Sequence, residues 1–184
     1  MKIFRPVSTN LITQGFGVAK TQPSLIPLYN SIGLKSHDGL DFSVSCKDNH
    51  IKTGGQCEQV YCNVDQDLKI TYIQKDVDNG YGIIACNGDW KFLWWHFDSI
   101  NPILSVGARI SSGDLLGVAG NTGMSTGAHV HFAVYKYGDD YNNGYHGASD
   151  PEPYFTNIFI LDELNLLKKM LWLLQQQLNL LTKK

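Results

Sequence analysis

Charge, basic excess, closely spaced cysteines and long apolar runs are all scarce in this 184-residue chain. Charged residues make up 17% of it and the formal net charge is -2. A partner held through its phosphates calls for a basic face or stripe, so nucleic acid is excluded as a partner. No apolar stretch approaches the roughly 20 residues of a spanning helix, so no transmembrane anchor is expected. Met1 to Asn10 contain Lys2 and Arg5 but no apolar run that could form a signal-peptide core. The four cysteines, Cys46, Cys57, Cys62 and Cys86, include no Cys-x-x-Cys pair, which argues against a structural zinc centre. They are read either as free thiols of a reducing compartment or as disulfides of an oxidising one, with three pairings open. Three of the four lie between 46 and 62, a polar stretch that reads as a loop or irregular hairpin.

What the chain does have is 43% hydrophobic residues, enough for one globular domain with a proper core and a short appendage. From Ile70 to Phe97, short apolar and aromatic runs alternate with Asp78-Asn79-Gly80 and Asn87-Gly88-Asp89. That pattern predicts antiparallel hairpins. Glycines at 107, 113, 117, 120, 123 and 127 extend the pattern of short strands and tight turns to about residue 135. The expected fold class is mainly β, an antiparallel sandwich with a groove. Around residue 130 the alternation places His129, His131 and Ala133 on one strand face and Val130, Phe132 and Val134 on the other.

The character changes after Pro153. Ile160, Leu164, Leu167, Leu171, Leu174, Leu178 and Leu181 recur in steps of four and three, a heptad seam, and Leu166, Leu173 and Leu180 form a second row. Two regions are therefore expected, 1–157 as the β domain and 158–184 as a long amphipathic C-terminal helix. Its apolar faces can pack on the β domain, on a second copy or on a partner helix. The homo-oligomer or partner helix is preferred, because such a seam buries best against its own kind. A membrane-surface role ranks third: Lys168, Lys169, Lys183 and Lys184 do not make a dense basic face.

Four of the six histidines fall in three short segments, His37-Asp38-Gly39-Leu40-Asp41, Trp94-Trp95-His96 and His129-Val130-His131-Phe132. Zinc takes imidazole nitrogen and carboxylate oxygen, and a catalytic site keeps three protein ligands and one open position. His37, Asp41 and one histidine of the 129/131 pair would supply the three. Two histidines remain for proton handling. His50 and His146 lie in loop-like sequence and read as solvated surface.

Taken with their surroundings, these segments resemble the lysostaphin-type zinc metallopeptidases, which cut peptide bonds in bacterial peptidoglycan. The resemblance runs from Thr13-Gln14-Gly15-Phe16-Gly17 to Asp150-Pro151. Its most specific part is the glycine-rich stretch from Gly113 to Gly127 that leads into the His-x-His strand. The resemblance implies one Zn2+ per chain on His37, Asp41 and His131, with His96 and His129 as the catalytic histidines. The chain departs from the family pattern at Ala128, where proline is usual, at Ala133, where an acidic residue is common, and in the Trp94-Trp95 pair before His96. It is also poorly matched from Cys46 to Asp67.

The implied function is an endopeptidase acting on a peptidoglycan stem peptide or crossbridge through a metal-activated water. A catalytically silent relative that binds or regulates would normally lack one of the five site residues, and all five are here. A third reading makes the helix the means of delivery to an assembly. Action at the cell envelope or outside the cell is expected. The lack of a visible leader then points to a phage or prophage carrier, or to a leader already removed.

Overall fold

The computed structural model describes residues 1–181. Lys183 and Lys184, and the side chains of Leu180 and Leu181, lie outside the described residues. Among the described residues there are twelve strands and two α-helices. The first strands are β1 (Ile3–Arg5), β2 (Ile12–Gln14), β3 (Leu40–Ser43) and β4 (Gln59–Tyr61). The hairpin region follows with β5 (Leu68–Asp76), β6 (Gly80–Cys86) and β7 (Trp90–Ile100). Then come β8 (Arg109–Ile110), β9 (Leu115–Ala119), β10 (His129–Lys136), β11 (Ala148–Ser149) and β12 (Phe155–Phe159). Helix α1 spans Ile26–Ser31 and α2 spans Ile160–Leu181.

Turn chemistry explains the two hairpins. Asp76 Oδ1 accepts the backbone N–H groups of Asp78 and Asn79 at 2.9 and 3.0 Å and reverses the chain into β6. Asn87 Oδ1 does the same for Asp89 and Trp90 at 2.9 and 2.8 Å, turning β6 into β7. Both are local side-chain bonds of the kind that make Asp and Asn turn residues. Strands β2, β3, β10, β7, β6, β5 and β8 then lie side by side in that order, and every pairing along the path is antiparallel. A separate two-stranded parallel sheet joins β1 to β12.

Alternation along the central strands fills the core. Trp90, Phe92 and Trp94 of β7, Val130, Phe132 and Val134 of β10, and Leu40 and Phe42 of β3 are all buried. Trp94 also satisfies its indole N–H on Asn63 Oδ1 at 2.7 Å, as a buried Trp requires. Strand β7 breaks its own period once. Gly82 faces Trp95 and Tyr81 faces Phe97, so one step on β6 meets two on β7 and His96 is the extra residue. His96 has φ +70, a left-handed conformation that non-glycine residues rarely adopt. Beyond this bulge β7 exchanges neighbours, pairing with β10 up to Trp95 and with β9 from Phe97 onward. The 120–128 turn that joins β9 to β10 therefore opens at His96.

Cys46 and Cys57 form a disulfide, which settles the pairing for these two, while Cys62 (buried) and Cys86 are free thiols. Among the described residues, helix α2 meets the β domain at its start. Ile160 is 1% exposed, and Leu164 packs so closely on Gly113 that a Cβ there would collide with it. From Leu166 to Leu174 the apolar side chains are exposed, Leu171 and Trp172 by 67% and 61%. Among the described residues, the seam thus rests its first turn on the domain, while Leu167, Leu171 and Leu174 are exposed. Ile160→Ala should cost roughly 2–5 kcal/mol in urea unfolding, as for a buried aliphatic truncation. Leu171→Gln should stay within about 0.5 kcal/mol, as for an exposed position.

Candidate active site

Three neighbouring strands and one loop build the site. Asp41 on β3 sits directly opposite His131 on β10, and His131 in turn sits opposite Trp95 on β7. Because Leu40, Phe42, Val130 and Phe132 point into the core, Asp41, His129 and His131 fall on the other face, toward the cleft. His96 would follow Trp94 into the core if β7 kept its alternation. The bulge gives it Trp95's side instead, a common use of a bulge near a functional group. His37 precedes β3 and is fixed from the 15–21 segment: its backbone N–H donates to Thr21 Oγ1 at 3.0 Å, and Gly17 N–H donates to His37 O at 2.9 Å. Gly39 must be glycine here, since a Cβ would stand 2.3 Å from Phe132 O and 2.9 Å from the His131 ring.

The result is a triangle of electron-rich atoms. His37 Nε2, Asp41 Oδ1 and His131 Nδ1 are each 3.0 Å from the other two. His37 Nδ1 donates its proton to Gly15 O at 2.9 Å, so in the tautomer this contact selects, Nε2 turns a lone pair toward the carboxylate. One imidazole proton at most is then shared among three acceptors. A divalent ion resolves that arrangement, and the set of two nitrogens and one carboxylate oxygen suits zinc at about 2 Å from each. A second grouping, His37, Asp38 and His131, also brings ligand atoms within 4.8 Å of one another. Asp38 Oδ1, however, approaches the far nitrogen of His131, Nε2, at 3.6 Å. Asp41 is the better third member because it meets the same nitrogen that faces His37. Asp38 then stands behind His131 as an outer carboxylate.

The electrostatics follow from this crowding. Burial pushes the Asp41 carboxyl up, but the polar contacts of the His131 and His37 rings, with His129 nearby, outweigh it and hold the group well below the usual carboxylate range. Burial disfavours the charged form of His131, yet Asp41 and Asp38 raise its pKa. Burial, with the nearby His129 and His131, pushes His96 down to about 3, so its ring is neutral at neutral pH.

His96 and His129 lie beside the triangle. Their ring centres are 4.5 Å apart, and His96 is 6.1 Å from the His131 ring. His96 Nδ1 donates to Thr122 O at 2.7 Å and His129 Nδ1 donates to Gly127 O at 2.8 Å. Both carbonyls belong to the β9–β10 turn, so one segment sets the tautomer of both rings and leaves each Nε2 as an acceptor. His129 Nε2 is 3.6 Å from Asp41 Oδ1. The disulfide loop clamps that turn. Asn49 O accepts Ala128 N–H at 2.8 Å, His50 O accepts the Asn121 amide at 3.1 Å, and Lys52 Nζ donates to Gly123 O and Ser125 O at 2.9 and 3.0 Å.

All five residues singled out in the sequence meet at this place, while His50 and His146 are exposed. The sequence reading missed Gln14 and Tyr29. Gln14 Nε2 donates to Tyr29 Oη at 2.6 Å and to Asp41 Oδ2 at 3.3 Å, so it steadies the carboxylate from outside. Gln14 lay within the Thr13–Gly17 segment already noted. For Tyr29, one of nine tyrosines, no local signal existed.

The profile of Peptidase family M23 matches residues 35–143, more than half of the chain. No curated protein matches the sequence. Among solved structures, a zinc containing peptidase from Vibrio cholerae is 22% identical with a TM-score of 0.57, over 82% of this chain and 39% of that one. Helicobacter pylori Csd3 is 18% identical with a TM-score of 0.56, over 100% of this chain and 44% of that one. The antimicrobial peptidase lysostaphin from Staphylococcus simulans is 20% identical with a TM-score of 0.54, over 84% and 54%. The chain thus spans less than two thirds of each of these structures, and at such identities the likeness is one of fold. The matched segment contains every histidine and carboxylate of the triangle together with His96 and His129, and on that match the chain belongs to peptidase family M23.

Proposed function

We propose that this chain is a zinc-dependent endopeptidase that hydrolyses peptide bonds in peptidoglycan crosslinks. The observation that carries the proposal is the 3.0 Å triangle of His37 Nε2, Asp41 Oδ1 and His131 Nδ1 with two oriented imidazoles beside it. Held by those three residues, zinc would lower the pKa of a water toward about 7 and polarise the scissile carbonyl.

The chain's own groups handle the protons. His129, with its Nδ1–H engaged by Gly127 O, offers Nε2 to take a proton from the attacking water. His96 is neutral and fixed by Thr122 O, so its Nε2 orients that water. The proton gained by the histidine pair returns to the leaving amine, so none is consumed overall. Gln14 and Asp38 act from outside: Gln14 holds Asp41 by its second oxygen, and Asp38 faces the outer nitrogen of His131. Cleavage at the cell wall, outside a reducing cytosol, is consistent with the Cys46–Cys57 disulfide. Among the described residues no helix is long and apolar enough to cross a membrane.

Incubating zinc-loaded protein with purified peptidoglycan of several crosslink types should release new amino termini, and a chelator should stop the release. His131→Ala is expected to lose bound zinc by metal analysis. His129→Ala should keep zinc while the rate falls by about 10²–10⁴, and a His129→Ala variant at the wild-type rate would overturn its role. The disulfide loop gives a separate expectation. The double variant Cys46→Ser, Cys57→Ser should retain zinc and lose roughly tenfold to a hundredfold in kcat, because the turn that aims both histidines loosens. An unchanged kcat would show that the turn holds its shape unaided.

A further inference from the structure

An exposed apolar strip runs along α2, and none of its residues lines the cleft. Leu167, Leu171 and Leu174 are exposed and recur in steps of four and three, the spacing of a seam that meets another helix every 3.5 residues. Leu166, Met170 and Leu173 widen the strip on one flank. The chain's own β domain covers the first turn, where Ile160 is buried and Leu164 rests on Gly113, and leaves these later side chains uncovered. Patches of this kind mark sites of association. A membrane surface is a poor cover, because the two cations of α2, Lys168 and Lys169, do not make a dense basic face.

The charges beside the seam say what covers it. With Leu164 and Leu171 at heptad position a and Leu167 and Leu174 at d, Glu163 falls at g and Lys168 at e. The other flanking positions, Leu161, Met170, Gln175 and Gln177, are uncharged. Two identical helices that lie parallel and in register bring g of one copy beside the e five residues further along the other. Glu163 then meets Lys168 of the second copy, and symmetry forms the pair twice. An antiparallel pair sets e against e and g against g, so Lys168 would meet another Lys168 or an uncharged residue and never a carboxylate. Among the described residues, neither Glu163 nor Lys168 is in an ion pair within its own chain. The sequence of α2 is thus complementary to itself in one direction.

From this we infer that α2 is a self-association helix, through which copies of this chain join as a parallel, in-register coiled coil along Leu167, Leu171 and Leu174. The β domains then sit together at one end, with their clefts outside the contact. The inference concerns α2 alone and does not depend on the peptidase reading. The exposed part of the seam spans about two heptads, so the assembly is weak and depends on concentration. Urea disperses it well before the β domain unfolds, which is why Leu171→Gln is near neutral for unfolding and still weakens association.

Sedimentation equilibrium on the full chain, up to about 1 mM, should show the mass rising from one chain to two or more. The double variant Leu167→Asp, Leu171→Asp should stay at one chain throughout. Its urea unfolding should match that of the parent, because both positions are exposed in the single chain. Direction is read from the charges. Lys168→Glu and Glu163→Lys, made separately, should each raise the dissociation constant about tenfold, since each turns two attractions into two repulsions. Both exchanges in one chain should restore it. A mass of one chain at every concentration, or association untouched by the double Asp variant, overturns self-association through α2. Association that ignores the single charge variants, or that the combined exchange fails to restore, overturns the parallel register.

Discussion

Two imidazole nitrogens and a carboxylate oxygen facing one another at 3.0 Å form an arrangement that a protein interior does not hold by itself. Each of the three would prefer water or a proton, and burial denies them the first. Around them, Gly15 O fixes the His37 tautomer, Gln14 takes the second oxygen of Asp41, and Asp38 stands behind His131. The sheet does the rest, since cross-strand pairing of Asp41 with His131 brings them together without any flexible segment between them. A site on adjacent strands is placed by backbone hydrogen bonds, which is why it tolerates the repulsion among its members.

The same logic extends to His96. A strand residue normally inherits its direction from its parity. Inserting one residue at a left-handed φ takes the ring out of the core sequence Trp90, Phe92, Trp94 and sets it beside His129. Strain of that kind is kept where the surroundings over-determine it, and here Thr122 O grips the ring from the turn opposite. That turn is itself gripped by the loop closed between Cys46 and Cys57. A covalent link far in sequence from His96 and His129 therefore reaches those two rings in two steps.

Much of this was legible in the residues. The hairpins between Ile70 and Phe97 announced themselves by Asn-Gly turns and period-two patterning, and the His129/His131 face by the apolar residues between them. The long helix was legible from its leucine seam, though its onset at Ile160 comes after β12, a strand paired with β1 some 150 residues earlier. Parallel pairing over that separation leaves no local trace. The direction of His96 was not legible either, because a bulge is a property of two strands together. Nor was the choice among three disulfide pairings, which depends on Cys46 and Cys57 facing each other across a bridge. Tyr29 joined the site only because α1 folds back over Gln14.

The parallel pairing of Ile3 with Phe155 and of Arg5 with Phe159 has a mechanical side. Tension applied between residue 1 and helix α2 would fall first on this small two-stranded sheet, because it ties the two ends of the β domain to each other. Part of that load would pass straight on to the large sheet, because Phe4 N–H donates to Asn63 O and Tyr61 of β4 donates its N–H to Pro6 O.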